Sequence, residues 1–353
     1  MAPRKSREVE PVRDLWSLGV LPILLAGGVL GLLGIYWDIA WHVDIGRDTF
    51  FTLPHNLVYS SILTVLLVAL LGLWFDRRDT RFHLPLGRFR LHPGVLMIVV
   101  AAALELAFAP LDDLWHRLFG SDVSLWAPMH LVGLLAMGVA NFGGLVSAWI
   151  ERDLSGDPGR GRLFTLICGA YCALLLGWSI LLTAEYEYSV IQFPVVLHPL
   201  LLAALPAFAL VLAVRLDLGR FAATSTALAF TCLRFLLSGM LMLTASLELA
   251  GYSRPMIPLL LLSALAVDLL ARRGAPEWLL GVASAAICMP VNWALLAVGE
   301  GMVWDADRVA LAVVPALLLS ALLAQLAGWV ARALRGELEP DVRARKSVAP
   351  RGA

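Results

Sequence analysis

Three residues at the end of an apolar run have the types and spacing to do chemistry: Asp38, His42 and His55, within WDIAWHVDIGRDTFFTLPH (residues 37–55). Asp38 and His42 are four apart, so they share a helix face if the first helix continues through them. His55 opens the next apolar run. Two antiparallel helices joined by a short loop bring it back against the other pair. Two imidazoles and one carboxylate leave coordination positions open, as catalytic metal centres require. The blander alternative is a hydrogen-bonded polar cap over the helix ends, and a lone His would favour it.

The His here is not alone. LDDLWHRLFGSDVSLWAPMHLVG (residues 111–133) repeats the pattern: Asp112 matches Asp38, Trp115 matches Trp41, His116 matches His42, Gly120 matches Gly46 and Asp122 matches Asp48, at a constant offset of 74. One inserted residue then aligns His130 with His55. Each copy is a span, a polar segment and a second span, so the first four spans read as a parallel repeat of helical hairpins. The candidate ligands are therefore Asp38, His42, His55, Asp112, His116 and His130. Glu105, Asp48 and Asp122 are candidates to support them from behind. Glu105 continues the Asp112 stripe inward. An unpaired charge inside a span costs roughly 2.5–3.5 kcal/mol, which places Glu105 toward the bundle interior.

The elements that must position these residues are membrane helices. Of 353 residues, 60% are hydrophobic and 15% charged, far below the roughly 25% charged residues of a soluble domain. Apolar runs long enough to cross a ~30 Å hydrocarbon core recur, and they predict ten spans: 15–36, 56–75, 94–111, 127–150, 164–184, 195–214, 222–247, 256–271, 277–298 and 309–331. Of the 27 Lys and Arg, 22 fall in every second polar interval counted from the N-terminus. The positive-inside rule then sets both termini in the cytoplasm and the Asp/His motifs at the extracytoplasmic face of the cell membrane. The opening segment is too acidic for a signal peptide, so the first span is expected to be retained.

The expected fold class is all-α, a polytopic helical bundle. Its parts are a cytoplasmic segment (1–14), the duplicated hairpin unit (15–150), the remaining bundle (151–335) and a polar, Pro-containing tail (336–353) that buries too little apolar surface to fold alone. The basic 76–93 loop reads as solvated charge beside the membrane. Arg234 and Asp268 lie in neighbouring spans and are expected to pair. Glu185 stands thirteen residues before His198, the His42–His55 spacing, a weak hint of a third copy. Cys168, Cys172, Cys232 and Cys288 all lie in apolar runs and read as packing residues rather than disulfides. There is no Gly-rich phosphate loop, nucleophile elbow or basic nucleic-acid motif, so neither a nucleotide nor a nucleic-acid partner is expected.

The first copy, Asp38-x2-Trp41-His42-x4-Arg47-Asp48-x2-Phe51-Thr52-x2-His55, resembles the metal-binding segment in one membrane subunit of the copper membrane monooxygenases, the particulate methane and ammonia monooxygenases. Eight of eighteen positions match, over about a tenth of the chain with flanking helices included. The resemblance implies copper at Asp38, His42 and His55. Residue types alone leave iron or zinc open. The family's metal-binding subunit is shorter, has fewer spans, works beside two others and lacks the second copy. That copy itself has an extra residue before His130 and no Arg-Asp-x2-Phe-Thr run.

Two functions follow as expectations. One is a copper-dependent membrane oxidoreductase, monooxygenase-like or a subunit of one, acting on a lipophilic small molecule that reaches the site from the lipid bilayer, alone, as a homo-oligomer or beside other membrane subunits. The alternative is a copper- or zinc-handling or assembly protein without catalysis. A chain of ligands across the membrane, which transport would need, is missing: the spans contain no Met-rich stripe and no Cys-x-x-Cys. A docking subunit or a haem protein fits less well, since haem ligation has no use for a carboxylate four residues from His.

Overall fold

The computed structural model describes residues 15–46, 51–75, 84–86, 89–119, 124–248, 253–298 and 304–336. Helix α1 (Leu15–Asp44) starts with a π turn and leads into α2 (Leu53–Phe75). A two-stranded hairpin follows, β1 (Leu84–Leu86) against β2 (Phe89–Leu91), within the interval 76–93 that was read as a basic loop. Then come α3 (Pro93–Phe119), α4 (Pro128–Leu154), α5 (Pro158–Glu187), α6 (Leu197–Arg215), α7 (Ala222–Ser246), α8 (Leu261–Arg272), α9 (Glu277–Val298) and α10 (Ala306–Leu334). Among the described residues, all of these except α8 are long and apolar enough to cross a membrane, nine in number. The chain is a helical, multi-pass membrane protein.

On the last helix small residues face inward and bulky apolar ones outward, although the core elsewhere also takes large side chains such as Tyr171, Trp304 and Leu24. On α10, Ala312, Ala316, Ala324, Ala327 and Ala331 are buried, whereas Leu311, Val314, Leu318, Leu322 and Leu326 are exposed along one stripe. Lipid is as apolar as leucine, so burying leucine against protein gains little. Close approach of backbones is what drives association. At α3 against α4 the approach reaches its limit: a Cβ on Gly94 would lie 2.5 Å from the Gly143 carbonyl oxygen. Among the first four long helices, α1 packs on α2 and α3 on α4, and α1 also contacts α4. The Ser61 hydroxyl of α2 donates to the Gly27 carbonyl of α1 at 2.7 Å.

The expected span 256–271 is not one helix. Residues 253–260 have no helical structure, and only α8, twelve residues long, follows. Pro255 and Pro258 account for the break, because each removes an amide donor and biases the preceding residue away from helix. The segment still runs the length of the bundle. Ser253 meets Asp44 at one end, and Arg272 donates to the Arg220 carbonyl at the other. Its freed backbone groups are served by neighbouring side chains. Asn292 of α9 accepts from the Leu259 N–H at 2.9 Å and donates to the Leu259 carbonyl at 3.3 Å, while Arg234 of α7 donates to the Met256 carbonyl.

Arg234 and Asp268 do not pair. Asp268 accepts from the Ala223 N–H (3.1 Å), the Thr224 N–H (2.8 Å) and the Thr224 hydroxyl (2.7 Å). The first turn of α7 has unpaired amides and no capping side chain of its own, so the carboxylate does more good there. Arg234 turns instead to Glu187. At the Arg-bearing end of the bundle, Arg152 donates to the Leu216 carbonyl at 2.8 Å and Arg215 to the Ala275 carbonyl at 2.8 Å. Glu277 sits between Arg215 (3.3 Å) and Arg332 (3.2 Å).

Asn292→Leu would leave both Leu259 groups unserved in an apolar interior, at about 1–3 kcal/mol for each. The expected result is a clear fall in the thermal unfolding temperature in detergent, checked by circular dichroism against the wild type.

Candidate metal centre

Helix α1 continues past its predicted end at 36 to Asp44, so Asp38 and His42 occupy successive turns of one face. It then stops at Gly46, whose φ of +99° favours glycine. The Ile45 and Gly46 amides both donate to the Trp41 carbonyl (2.8 and 3.2 Å) and close the helix end. Helix α2 begins at Leu53, which puts His55 in its first turn. Packing of α1 on α2 then brings the three groups together. His55 Nε2 lies 3.2 Å from Asp38 Oδ1, and His42 Nε2 lies 3.7 Å from Asp38 Oδ2. One ligand atom from each residue falls within 4.8 Å of the others. The two imidazoles are 6.4 Å apart between centroids and tilted by 57°, with the carboxylate between them. His55 also stacks on Tyr59, 5.9 Å away one turn later. Phe51 meets the same Tyr59 ring edge-on at 6.3 Å.

The cluster is half open. The side chain of His42 is 40% exposed, against 25% for His55 and 22% for Asp38. A ligand set of this kind can hold a cation and still admit a small molecule from outside. The donors, two imidazole nitrogens and a carboxylate oxygen, suit copper, iron or zinc.

The second motif is partly described. Asp112 lies near the end of α3 and His130 in the first turn of α4, with His130 Nε2 3.2 Å from Asp112 Oδ1. That is the same contact, at the same distance, as between His55 and Asp38. His130 Nδ1 lies 3.0 Å from the Ser124 carbonyl. A carbonyl can only accept, so Nδ1 carries a proton and the ring is fixed with Nε2 toward the carboxylate, as in many metal-bound histidines. The helices that bear Asp38 and His130, α1 and α4, are in contact. The helical position of His116 is described, but its side chain lies outside the described residues, as do Asp48, Asp122, Arg47, Gly120, the 1–14 segment and the tail from 337.

Several other polar residues have structural duties. Asp113 pairs with Arg117 one turn on, at 2.7 Å. His92 accepts from the Gly94 N–H at 3.1 Å and caps α3. Glu185 and His198, the hint of a third copy, go to different partners. Glu185 accepts from the Leu125 N–H. His198, 1% exposed, accepts from Trp304 Nε1 at 3.1 Å and stacks on Tyr186 at 5.2 Å. Cys168, Cys172 and Cys288 are buried, Cys232 is exposed, and all four are free.

Sequence reasoning missed one group near the site. Tyr36, fully buried two residues before Asp38, lies under the guanidinium of Arg234 at 4.6 Å. The only sequence signal was Arg234 itself, a charge inside a span with no partner evident in its own helix. Comparison with known proteins adds no relative: no family model, no curated protein and no solved structure matches the chain.

Glu105 is 2% exposed and makes no hydrogen bond or ion pair among the described residues. It sits about 10 Å along α3 from Asp112, at 1.5 Å per residue, too far to contact a metal there. Glu105→Leu should therefore leave metal content unchanged, and should not lower thermal stability, since it replaces a carboxyl within a membrane span by an apolar group. A fall in either quantity would assign Glu105 a partner or a part in the site.

Proposed function

We propose that this chain binds copper at Asp38, His42 and His55, on the extracytoplasmic face of a cell membrane, as an oxidoreductase of the copper membrane monooxygenase type or as a subunit of one. The observation that carries the reading is the convergence of an Asp-x3-His pair and a returning His, from two helices, onto one point. The resemblance of that segment to the metal-binding segment of the particulate methane and ammonia monooxygenases supports copper over iron or zinc. Both termini lie in the cytoplasm on this reading. The Arg-bearing end of the bundle is the cytoplasmic one, and the broken segment 253–272 brings the crossings to ten.

The protein's own groups have clear tasks in such a site. Asp38 sets its carboxylate between the two imidazoles and offsets the charge of a bound cation. His42 and His55 supply nitrogen donors from different helices, so the site exists only when α1 and α2 are packed. The Tyr59 ring holds the His55 plane in place. A bound copper ion supplies one-electron redox chemistry. The exposed side of His42 faces the polar phase, while the apolar outer surfaces of α2 and α3 face lipid, the route a lipophilic substrate would take. Asp112 and His130, with the proton on Nδ1 of the latter, can hold or pass a proton beside the site or take part in a second one.

A second reading, metal capture or copper-centre assembly without catalysis, draws on the 40% exposure of His42. A ligand open to the outside suits exchange as well as turnover.

Metal content by mass spectrometry, on full-length protein in detergent after copper reconstitution, tests the binding claim. The wild type is expected to hold about one copper, or two if the second motif also binds. His42→Ala/His55→Ala should lose the first, and Asp112→Ala/His130→Ala should keep it if the motifs are separate. Loss with either pair would mean one shared site. A wild type that holds no copper would overturn the proposal. Oxygen consumption with a lipophilic reductant separates catalysis from handling.

A further inference from the structure

The helix that carries Asp38 and His42 is held by the far half of the chain at two places, one on each side of the ligands. Two residues before Asp38, Tyr36 lies beneath the Arg234 guanidinium (4.6 Å), and its carbonyl accepts from the Tyr188 hydroxyl at 2.9 Å. Two residues after His42, both oxygens of the Asp44 carboxylate are taken by Ser253, one by its N–H at 2.9 Å and one by its hydroxyl at 2.6 Å. Arg234 joins these clamps. It is 1% exposed, pairs with the buried Glu187 and donates to the Met256 carbonyl, three residues beyond Ser253. Glu187 in turn receives the Thr183 hydroxyl at 2.8 Å. The end of α5, the middle of α7 and the non-helical segment 253–260 thus converge on the last turns of α1.

We propose that Arg234, Glu187 and Ser253 are positioning residues for the metal centre: through Tyr36 and Asp44 they fix the outer end of α1, so that Asp38 and His42 meet His55 at bonding geometry. The inference rests on the metal reading above and adds that the second half of the chain sets the affinity of a site built entirely from the first. Two considerations favour this over plain stabilisation. A buried ion pair contributes little net stability once its desolvation is counted, so its worth lies in fixing a unique arrangement. Helix ends also fray, and His42 stands on the last full turn of α1, where fraying would move it most.

The test uses full-length protein in detergent, titrated with copper(II), with affinity from competition and ligand geometry from the electron paramagnetic resonance spectrum. The variants are Asp44→Asn, Ser253→Ala and Arg234→Lys, which keeps the charge but loses the planar fork. Tyr171→Phe is the control, since its hydroxyl also fastens α1, donating to the Leu21 carbonyl at 2.7 Å, but at the helix end remote from the ligands. The clamp variants are expected to weaken copper binding about 10–100-fold, the usual effect of groups that orient ligands, and to alter the spectrum. Tyr171→Phe should lower thermal stability and alter neither. Asp44 is exposed, so Asp44→Asn and Ser253→Ala decide the matter should Arg234→Lys fail to fold. Wild-type copper binding that these variants leave unchanged overturns the positioning role alone. A wild type that binds no copper overturns the metal reading, and this inference with it.

Discussion

Within hydrocarbon, a backbone N–H or C=O has no water to fall back on, and every one must find a partner inside the protein. Long helices meet that demand along most of this chain. The remaining architecture follows from where they cannot. The first turn of α7 takes Asp268, the start of α3 takes His92, and the non-helical 253–260 segment takes Asn292 and Arg234. At the same end of the bundle as those two helix starts, Arg152 and Arg215 serve carbonyls where neighbouring helices stop. Most polar side chains in the interior are thereby committed, and those at the end of α1 stand out as the set whose convergence backbone service does not require.

The break in the segment 253–272, the eighth crossing in chain order, links the two halves of the chain. Two prolines free carbonyls at membrane depth, and one is met by an arginine. A buried arginine needs an anion, and Glu187 provides it. The guanidinium is broad and flat, with room left on its face, and the Tyr36 ring occupies that face. A local fault in one segment is therefore connected by ordinary pairing rules to the helix that bears Asp38. Small residues at particular helix contacts, such as Gly94 against Gly143 and the alanines of α10, let helices come close.

Much of the helical architecture was legible in the sequence because the bilayer imposes hydropathy on the helices that cross it. Nine of ten expected spans correspond to long helices, with ends differing by up to eight residues. The two at the motifs, α1 and α3, run further outward than hydropathy alone suggests, because polar residues end an apolar window without ending a helix. The remaining span, 256–271, was misread as one helix because its leucines satisfied hydropathy while Pro255 and Pro258 were given too little weight. The Arg234–Asp268 pairing failed for a related reason. Opposite charges in neighbouring spans invite a pair, but unpaired amides at a helix start compete for the same carboxylate. Asp38, His42 and His55 were recognisable because helical spacing and a returning loop are local rules. Tyr36 was not, since its partner lies 198 positions away.

The two Asp/His hairpins supply a comparison that bears on what the first motif is for. In both hairpins a carboxylate near the end of one helix meets, at 3.2 Å, a histidine in the first turn of the next. Such a contact fastens two antiparallel helices at their open end and needs no metal to be useful. His42 is aimed at the same carboxylate from the other side. It approaches Asp38 at 3.7 Å with 40% of its side chain exposed, where an ion pair is worth about 0–1 kcal/mol. The contact of His55 with Asp38 would fasten the helices without it, so the convergence of a second imidazole on that carboxylate is the feature the proposed metal site accounts for.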